Sequence, residues 1–117
     1  MGDRASVFIT SESMPNPIEL YGQWAGLDGV RAIANVLERT NRIGDHSYLT
    51  AQVFYEFAII LGDYTGNLGY GIRSSSNTEN GWNDNPDITL NADTGSVWYK
   101  GKIYTRTEFI EFAKVKD

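Results

Sequence analysis

The chain has 117 residues, no cysteine and a formal charge of −5 at pH 7. This length suits one domain with its own core, and the lack of cysteine excludes disulfides and thiolate metal sites. The acidic balance argues against general DNA or RNA binding, which needs many cationic side chains on one face. No apolar run is long enough to span a membrane. We therefore expect one soluble, cytoplasmic domain over residues 1–117.

The first half of the chain predicts two strands followed by two helices. Polar and apolar residues alternate over 4–11 and 17–22, which favours two strands joined as a hairpin. From Leu27 the apolar residues recur at helical spacing, and a second helix follows over about 47–61. Gly62 is typical of a helix C-terminus. The short connection between the helices predicts that they pack antiparallel.

The second half predicts four more strands and a last helix. A glycine-rich strand over 67–74 leads into a polar loop over about 74–86, which we expect to be mobile. A three-strand meander then runs from Ile88 to Thr105, where Thr105 and Glu108 have the spacing of a capping box. The fold class predicted is α+β, in the order ββααββββα. We expect an antiparallel sheet with two antiparallel helices on one face and a short C-terminal helix.

The segment LYGQWAG, residues 20–26, is the strongest candidate for a binding site. It places Tyr21 and Trp24 between glycines where a strand gives way to a helix, and these two rings could stack a nucleobase. Gln23 could contact the edge of that base. Arg31 lies one turn into the helix, where the backbone N–H groups of the helix N-terminus also favour an anion such as phosphate.

A structural interpretation competes with this site. Trp24 can fill the corner between sheet and helix, and Tyr21 can face its neighbouring strand. Asp28 stands at the same helix start, so its carboxylate can already occupy the anion position as a cap.

The glycine-rich strand and the polar loop supply further candidates. GNLGYG matches no phosphate-binding pattern, and its glycines are typical of a bulge or a close backbone approach. It places Tyr70 and Arg73 beside the loop, and Arg73 could meet a phosphate. Trp82 in the loop either anchors the loop to the protein or closes over a ligand or a neighbouring subunit.

The hypotheses of a catalytic site and of a metal site have little support in the sequence. The single histidine, His46, lies between Asp45 and Ser47, but side chains of adjacent residues point apart at a helix start. The loop NTENGWNDNPD is rich in oxygen ligands but lacks the spacing of a calcium-binding EF-hand loop. We predict no catalytic residue, no metal site and no cofactor.

The hairpin VWYKGKIY, residues 97–104, carries three aromatic side chains. Trp98, Tyr99 and Tyr104 alternate as ordinary cross-strand residues do. Their density also makes this hairpin a candidate interface for a homo-oligomer.

Taken together, these segments resemble a group of small proteins that tailed bacteriophages encode, most of them uncharacterised. The resemblance runs from about Arg4 to Leu90 and departs at Gln23, where a histidine often stands in that group. This departure favours binding over catalysis. The residues that carry the resemblance are Leu20, Tyr21, Trp24, Gly26, Asp45, Tyr48, Leu49 and Gly71.

The resemblance implies a protein acting in the cytoplasm of an infected bacterium. Phages encode compact oligomeric sponges that capture cyclic nucleotide or ADP-ribose-type immune signals without cleaving them. The first hypothesis is therefore an anti-defence sponge for a small anionic nucleotide, without cofactor and as a homo-oligomer. The alternative is an inhibitor that binds a host protein through its acidic, aromatic surface. The ligand-binding residues in the first hypothesis are Tyr21, Gln23, Trp24, Arg31, Tyr70, Arg73 and Trp82.

Overall fold

A computed structural model describes residues 4–22, 27–61, 70–81 and 83–116. Within these ranges the chain forms six strands and three helices, which confirms the α+β class. In chain order they are β1 (Ala5–Thr10), β2 (Ile18–Gly22), α1 (Asp28–Arg39), α2 (His46–Leu61), β3 (Tyr70–Ser74), β4 (Ile88–Asn91), β5 (Val97–Tyr99), β6 (Lys102–Tyr104) and α3 (Arg106–Lys116).

The six strands form one sheet in the spatial order β3-β2-β1-β4-β5-β6. The predicted hairpin of β1 and β2 is confirmed as an antiparallel pair. The prediction of a purely antiparallel sheet is wrong, because β1 pairs with β4 in parallel. The chain leaves β1 through β2, the helices and β3, and β4 then adds to the other edge of β1, running in the same direction.

The helices cover one face of the sheet, here called the helix face. Val7, Leu20 and Leu90 from three strands share a single core cluster with Ile33, Phe57 and Phe109 from the three helices. The helix face is where most of the apolar area is removed from water, which is the main favourable term in folding. The opposite face of the sheet, here called the outer face, has no helix among the described residues.

The start of α3 is held as the sequence predicts. The backbone N–H of Thr105 donates to Glu108 at 2.9 Å, and the N–H of Glu108 donates to the Thr105 hydroxyl at 3.2 Å. This reciprocal pair is a capping box. It begins the helix whose Phe109 and Phe112 pack on Tyr104, the last residue of β6.

Helix α1 approaches β1 so closely that only glycine fits at position 29. A Cβ on Gly29 would lie 2.7 Å from Cγ2 of Val7, a fully buried side chain. We expect Gly29→Ala to destabilise the protein by about 1 to 2 kcal/mol in urea unfolding, because overpacking outweighs the gain in helix propensity.

A double-mutant cycle with Val7→Ala tests this reason. Removing Cγ2 opens the space, so Gly29→Ala in the Val7→Ala background is expected to be neutral or stabilising. A stabilising effect of Gly29→Ala in the wild-type protein would contradict the close approach.

Candidate functional site

One row of side chains crosses all six strands on the outer face. Strand register pairs Phe8 with Glu19 on one side and with Thr89 on the other. The row reaches the two edges of the sheet through further pairs. From β3 to β6 its members are Arg73, Glu19, Phe8, Thr89, Trp98 and Ile103.

Exposure changes sharply along this row. Phe8 is fully buried and Glu19 is 2% exposed, whereas Trp98 is 44% and Ile103 70% exposed. The buried members are Phe8 and Glu19, and Glu19 accepts a hydrogen bond from Asn80 in the loop between β3 and β4. The exposed half, on β5 and β6, leaves large apolar side chains facing solvent.

The segment 75–87 is fastened to the sheet by hydrogen bonds. The backbone N–H groups of Asp84 and Asn85 both donate to the carbonyl of Arg4 at 3.1 Å. The N–H of Arg4 donates in return to the Asp84 carboxylate at 2.9 Å. That this loop is mobile and closes as a lid stays a prediction.

Asn80 and Asn83 tie the same loop to the outer face through their amide groups. Asn80 Nδ2 donates to Glu19 at 2.7 Å, and Asn83 Nδ2 lies 2.9 Å from Oγ of Ser6 and 2.7 Å from Oδ1 of Asp87. The backbone N–H of Asn80 donates to the other oxygen of Asp87 at 3.0 Å. We name this set, together with Arg73, the polar network.

Glu19 is the centre of the polar network. Its carboxylate accepts hydrogen bonds from Ser6 Oγ at 2.6 Å, from Arg73 Nε at 2.8 Å and from Asn80. Burial by itself raises the pKa of Glu19. The hydrogen bonds from Arg73, Ser6 and Asn80 and the charge of Arg73 together lower it by more than burial raises it. The pKa of Glu19 therefore lies below its ordinary value. The hydrogen bond to Glu19 raises the pKa of Arg73 in return. Glu19 is therefore a buried, ionised and fully hydrogen-bonded carboxylate.

Tyr21 and Arg73, two of the predicted ligand residues, do lie together on the outer face. The Arg73 guanidinium is 4.4 Å from the centroid of the Tyr21 ring, a cation–π arrangement. The ring lies across Gly71, where a Cβ would be only 2.6 Å from the Tyr21 hydroxyl. This is the close backbone approach that the glycine-rich strand suggested. Both side chains are thus already used, Tyr21 by packing and Arg73 by Glu19.

The other predicted ligand residues do not join this pair. Tyr70 pairs with Gly22 and lies on the helix face, where its ring is 5.9 Å from that of Phe54. Arg31, on α1, forms an ion pair with Asp28 at 2.9 Å. Gln23, Trp24 and Trp82 lie outside the described residues.

An open cleft of about 530 Å³ lies on the outer face, beside the exposed half of the cross-sheet row. Its floor is formed by β4 and β5, and the loop before β4 forms one wall. We name it the Trp98 cleft. Its lining residues are Thr78, Glu79, Pro86, Asp87, Thr89, Trp98 and Lys100.

Sequence reasoning did not place a ligand site at this cleft. Alternation over residues 97–99 does put Trp98 on the face opposite Val97 and Tyr99, which are buried under the helices. That alternation, next to the Lys100–Gly101 turn, is the sequence feature that could have predicted an exposed Trp98 on the outer face. The contribution of the loop residues Thr78 and Glu79 could not be seen, because it depends on how the loop folds back.

A second group of exposed apolar side chains lies on α2. Tyr48, Tyr55 and Ile59 are 56%, 65% and 45% exposed. They occupy helical positions that face away from the core residues Leu49, Val53 and Phe57, which are fully buried. This surface is remote from the outer face and provides a matched reference for variants there.

Among the described residues, no group of three or more His, Cys, Asp or Glu side chains is placed to hold a metal ion. His46 is the first residue of α2, and its carbonyl accepts a hydrogen bond from the Thr50 hydroxyl at 2.6 Å. In the same part of the chain, no helix is both long enough and apolar enough to cross a membrane.

Comparison of this chain with protein-family models, with curated proteins and with solved structures finds no match in any of the three.

Proposed function

We propose that this chain is a non-enzymatic binding protein that docks a partner protein at the Trp98 cleft and on Ile103 beside it. The observation that carries the proposal is the exposure of this cross-strand pair, with Trp98 at 44% and Ile103 at 70%. A half-exposed tryptophan on the floor of a cleft is the kind of side chain that anchors protein interfaces. The cleft gives the partner a concave surface to enter.

The charges around the cleft favour a partner with basic groups. Among the described residues that line it, Glu79 and Asp87 are accompanied by one cation, Lys100. The whole chain carries a formal charge of −5, so a basic partner is also attracted at a distance. This supports the hypothesis of an acidic, aromatic docking surface.

The biological setting is proposed from the resemblance to proteins of tailed bacteriophages. In that setting the partner is a host factor that the protein inhibits in the cytoplasm of the infected bacterium. Self-association through the β5–β6 hairpin is compatible with this role, because the hairpin forms one edge of the sheet.

Capture of a small nucleotide signal is the second candidate function. The volume of about 530 Å³ suits a ligand of nucleotide size, Trp98 offers a face for stacking, and Lys100 can meet a phosphate. It ranks second because Glu79 and Asp87 repel a polyphosphate. Arg73, the other cation that this hypothesis used on the outer face, is already bound to Glu19.

Selection of displayed random peptides against the whole protein tests the first proposal. We expect the selected peptides to bind Trp98→Ala at least 30-fold more weakly, which corresponds to the roughly 2 kcal/mol of an interface hot spot. Tyr55→Ala is the matched control, since it removes a more exposed aromatic ring from α2 and should leave binding unchanged.

Two results would count against docking at Trp98. One is a set of peptides that bind the Trp98→Ala variant as well as the wild type. The other is the absence of any selected peptide together with a thermal shift by a cyclic nucleotide or an ADP-ribose derivative that Trp98→Ala abolishes. The second result would establish nucleotide capture in place of protein docking.

A further inference from the structure

The carboxylates of the Trp98 cleft have no cationic partner in the part of the chain that the structure describes. Glu79 forms neither an ion pair nor a side-chain hydrogen bond there, and only its backbone N–H is used, towards Asn77 at 2.9 Å. Both oxygens of Asp87 accept from the neutral groups of Asn80 and Asn83. The cleft therefore holds two negative charges that are not neutralised within it.

Lys100, the one cation of the cleft, is not paired with either carboxylate in the described chain. Its Nζ lies 5.6 Å from the centroid of the ring of Tyr99, the residue that precedes it in the chain. Lys100 also has a φ of +53°, a left-handed conformation set by the tight turn with Gly101. Its ammonium group therefore lies near Tyr99, and among the described contacts it pairs with neither Glu79 nor Asp87.

The floor of the cleft adds a flat ring and an unused hydroxyl. Trp98 presents its indole, the aromatic side chain with the strongest attraction for a cation over its face. Thr89, its cross-strand neighbour, has an enclosed Oγ1 that makes no hydrogen bond with any described group. Because that oxygen is enclosed, the groups of the cleft open to a ligand with N–H donors are the indole face and the two carboxylates.

These features match one kind of side chain. A guanidinium group is planar, always charged and carries five N–H donors, and it stacks on aromatic rings. A phosphate or carboxylate group brings no donors and would be repelled by Glu79 and Asp87. A neutral apolar side chain would leave both carboxylates without a counter-charge.

We propose that the Trp98 cleft is a pocket for an arginine side chain of the partner, with the guanidinium stacked on Trp98 and hydrogen-bonded to Glu79 and Asp87. This inference rests on the proposed function and specifies what the docked protein must present. The Ile103 side chain, next to Trp98 on the edge strand, then contacts apolar residues that flank this arginine.

Titration of the isotope-labelled protein with N-acetyl-argininamide, followed by NMR, tests the pocket. We expect shifts concentrated at the Trp98 indole N–H and at the amides of Thr89 and Asp87. N-acetyl-citrullinamide has the same shape without the charge, and we expect it to bind at least tenfold more weakly.

Glu79→Gln tests the role of one carboxylate directly. The Glu79 carboxylate has no structural role among the described contacts, so the variant should change binding without changing the fold. It is expected to weaken argininamide binding at least fivefold. Glu111→Gln on α3 makes the same change in net charge at an exposed position outside the cleft and should leave the affinity unchanged.

Three outcomes would overturn the arginine pocket: equal binding of the citrulline derivative, equal weakening by Glu79→Gln and Glu111→Gln, or shifts that avoid Trp98. Selected peptides that lack arginine but still depend on Trp98 would overturn it as well, while leaving the proposed docking function intact. Loss of the docking function is recognised separately, by peptides that bind without Trp98.

Discussion

Replacing Glu19 with alanine is expected to lower the free energy of unfolding by about 3 kcal/mol. Glu19 is 2% exposed and its carboxylate accepts from three donors, so its removal takes the acceptor from the buried hydroxyl of Ser6 and one hydrogen bond from Asn80. Arg73 is half exposed and can be hydrated, which keeps the loss below that of a fully buried ion pair. Urea unfolding monitored by circular dichroism measures the change.

Glu38→Ala is the control for loss of a glutamate with an ion-pair partner. Glu38 pairs with Lys114 at 3.5 Å, and both side chains are more than half exposed. Surface pairs of this kind contribute little, so we expect less than about 0.5 kcal/mol. Similar losses for Glu19→Ala and Glu38→Ala would show that the polar network does not stabilise the fold.

The stabilising contribution of Glu19 also has a defined pH dependence. The folded-state pKa of Glu19 lies below its ordinary value of 4.5, so its contribution is complete above that value. The contribution is lost as the pH falls through the lowered pKa, because the folded state must then take up a proton. Glu19→Gln resembles the protonated form, and its stability deficit against the wild type is therefore expected to shrink on acidification. A deficit that stays constant between about pH 7 and about pH 3 would contradict this assignment.

Phe8→Ala is expected to cost about 3 to 5 kcal/mol, the range for a phenylalanine removed from a packed interior. Phe8 is fully buried, yet its side chain is on the outer face, away from the helices and outside the core cluster that they form. Asn83 and Asn80 of the loop between β3 and β4 bind Ser6 and Glu19 beside it, so we expect its burial to depend on that loop. Urea unfolding gives the size of the loss, and hydrogen exchange shows whether the amides of Asp84 and Asn85 lose protection as well.

Ile103→Ala provides the comparison for Phe8→Ala. Ile103 belongs to the same cross-sheet row but is 70% exposed, so its truncation should change stability by less than about 0.5 kcal/mol. A loss below about 1 kcal/mol for Phe8→Ala would mean that the outer face contains no packed layer of its own.

Local patterns in the sequence predicted the local structure well, for reasons that the structure makes plain. Alternation assigned Ser6 and Phe8 to one face of β1 and Val7 to the other, because successive side chains of a strand must point to opposite faces. The capping box at Thr105 and Glu108 requires only residues three apart, and it forms as predicted.

The parallel pairing of β1 with β4 could not be predicted in the same way. A central strand alternates identically whether its neighbour runs parallel or antiparallel, so Val7 and Ile88 carry no sign of their direction. The prediction of an antiparallel sheet followed from neighbouring strands alone. It failed at β1 and β4, the one pair of neighbouring strands in the described sheet that are not consecutive in the chain.

The candidate site illustrates the same limit. Asn80 and Asn83 have the composition of any polar loop, and nothing local indicates that their amides reach Glu19 and Ser6. The segment around Tyr21 was predicted to bind a ligand because aromatic residues are dense in its sequence. Trp98 lies at the cleft because helices cover the opposite face of β5, which is a property of the whole fold.

The central position of β1 also bears on how the protein is made. β1 leaves the ribosome before β4, the strand that completes one of its edges, because β4 begins only at Ile88. Until then the apolar segment ASVFIT has an open hydrogen-bonding edge that a second nascent chain could pair with. Chains that terminate before Ile88 are therefore expected to aggregate, because the segment from Ile88 onward covers the open edge of β1.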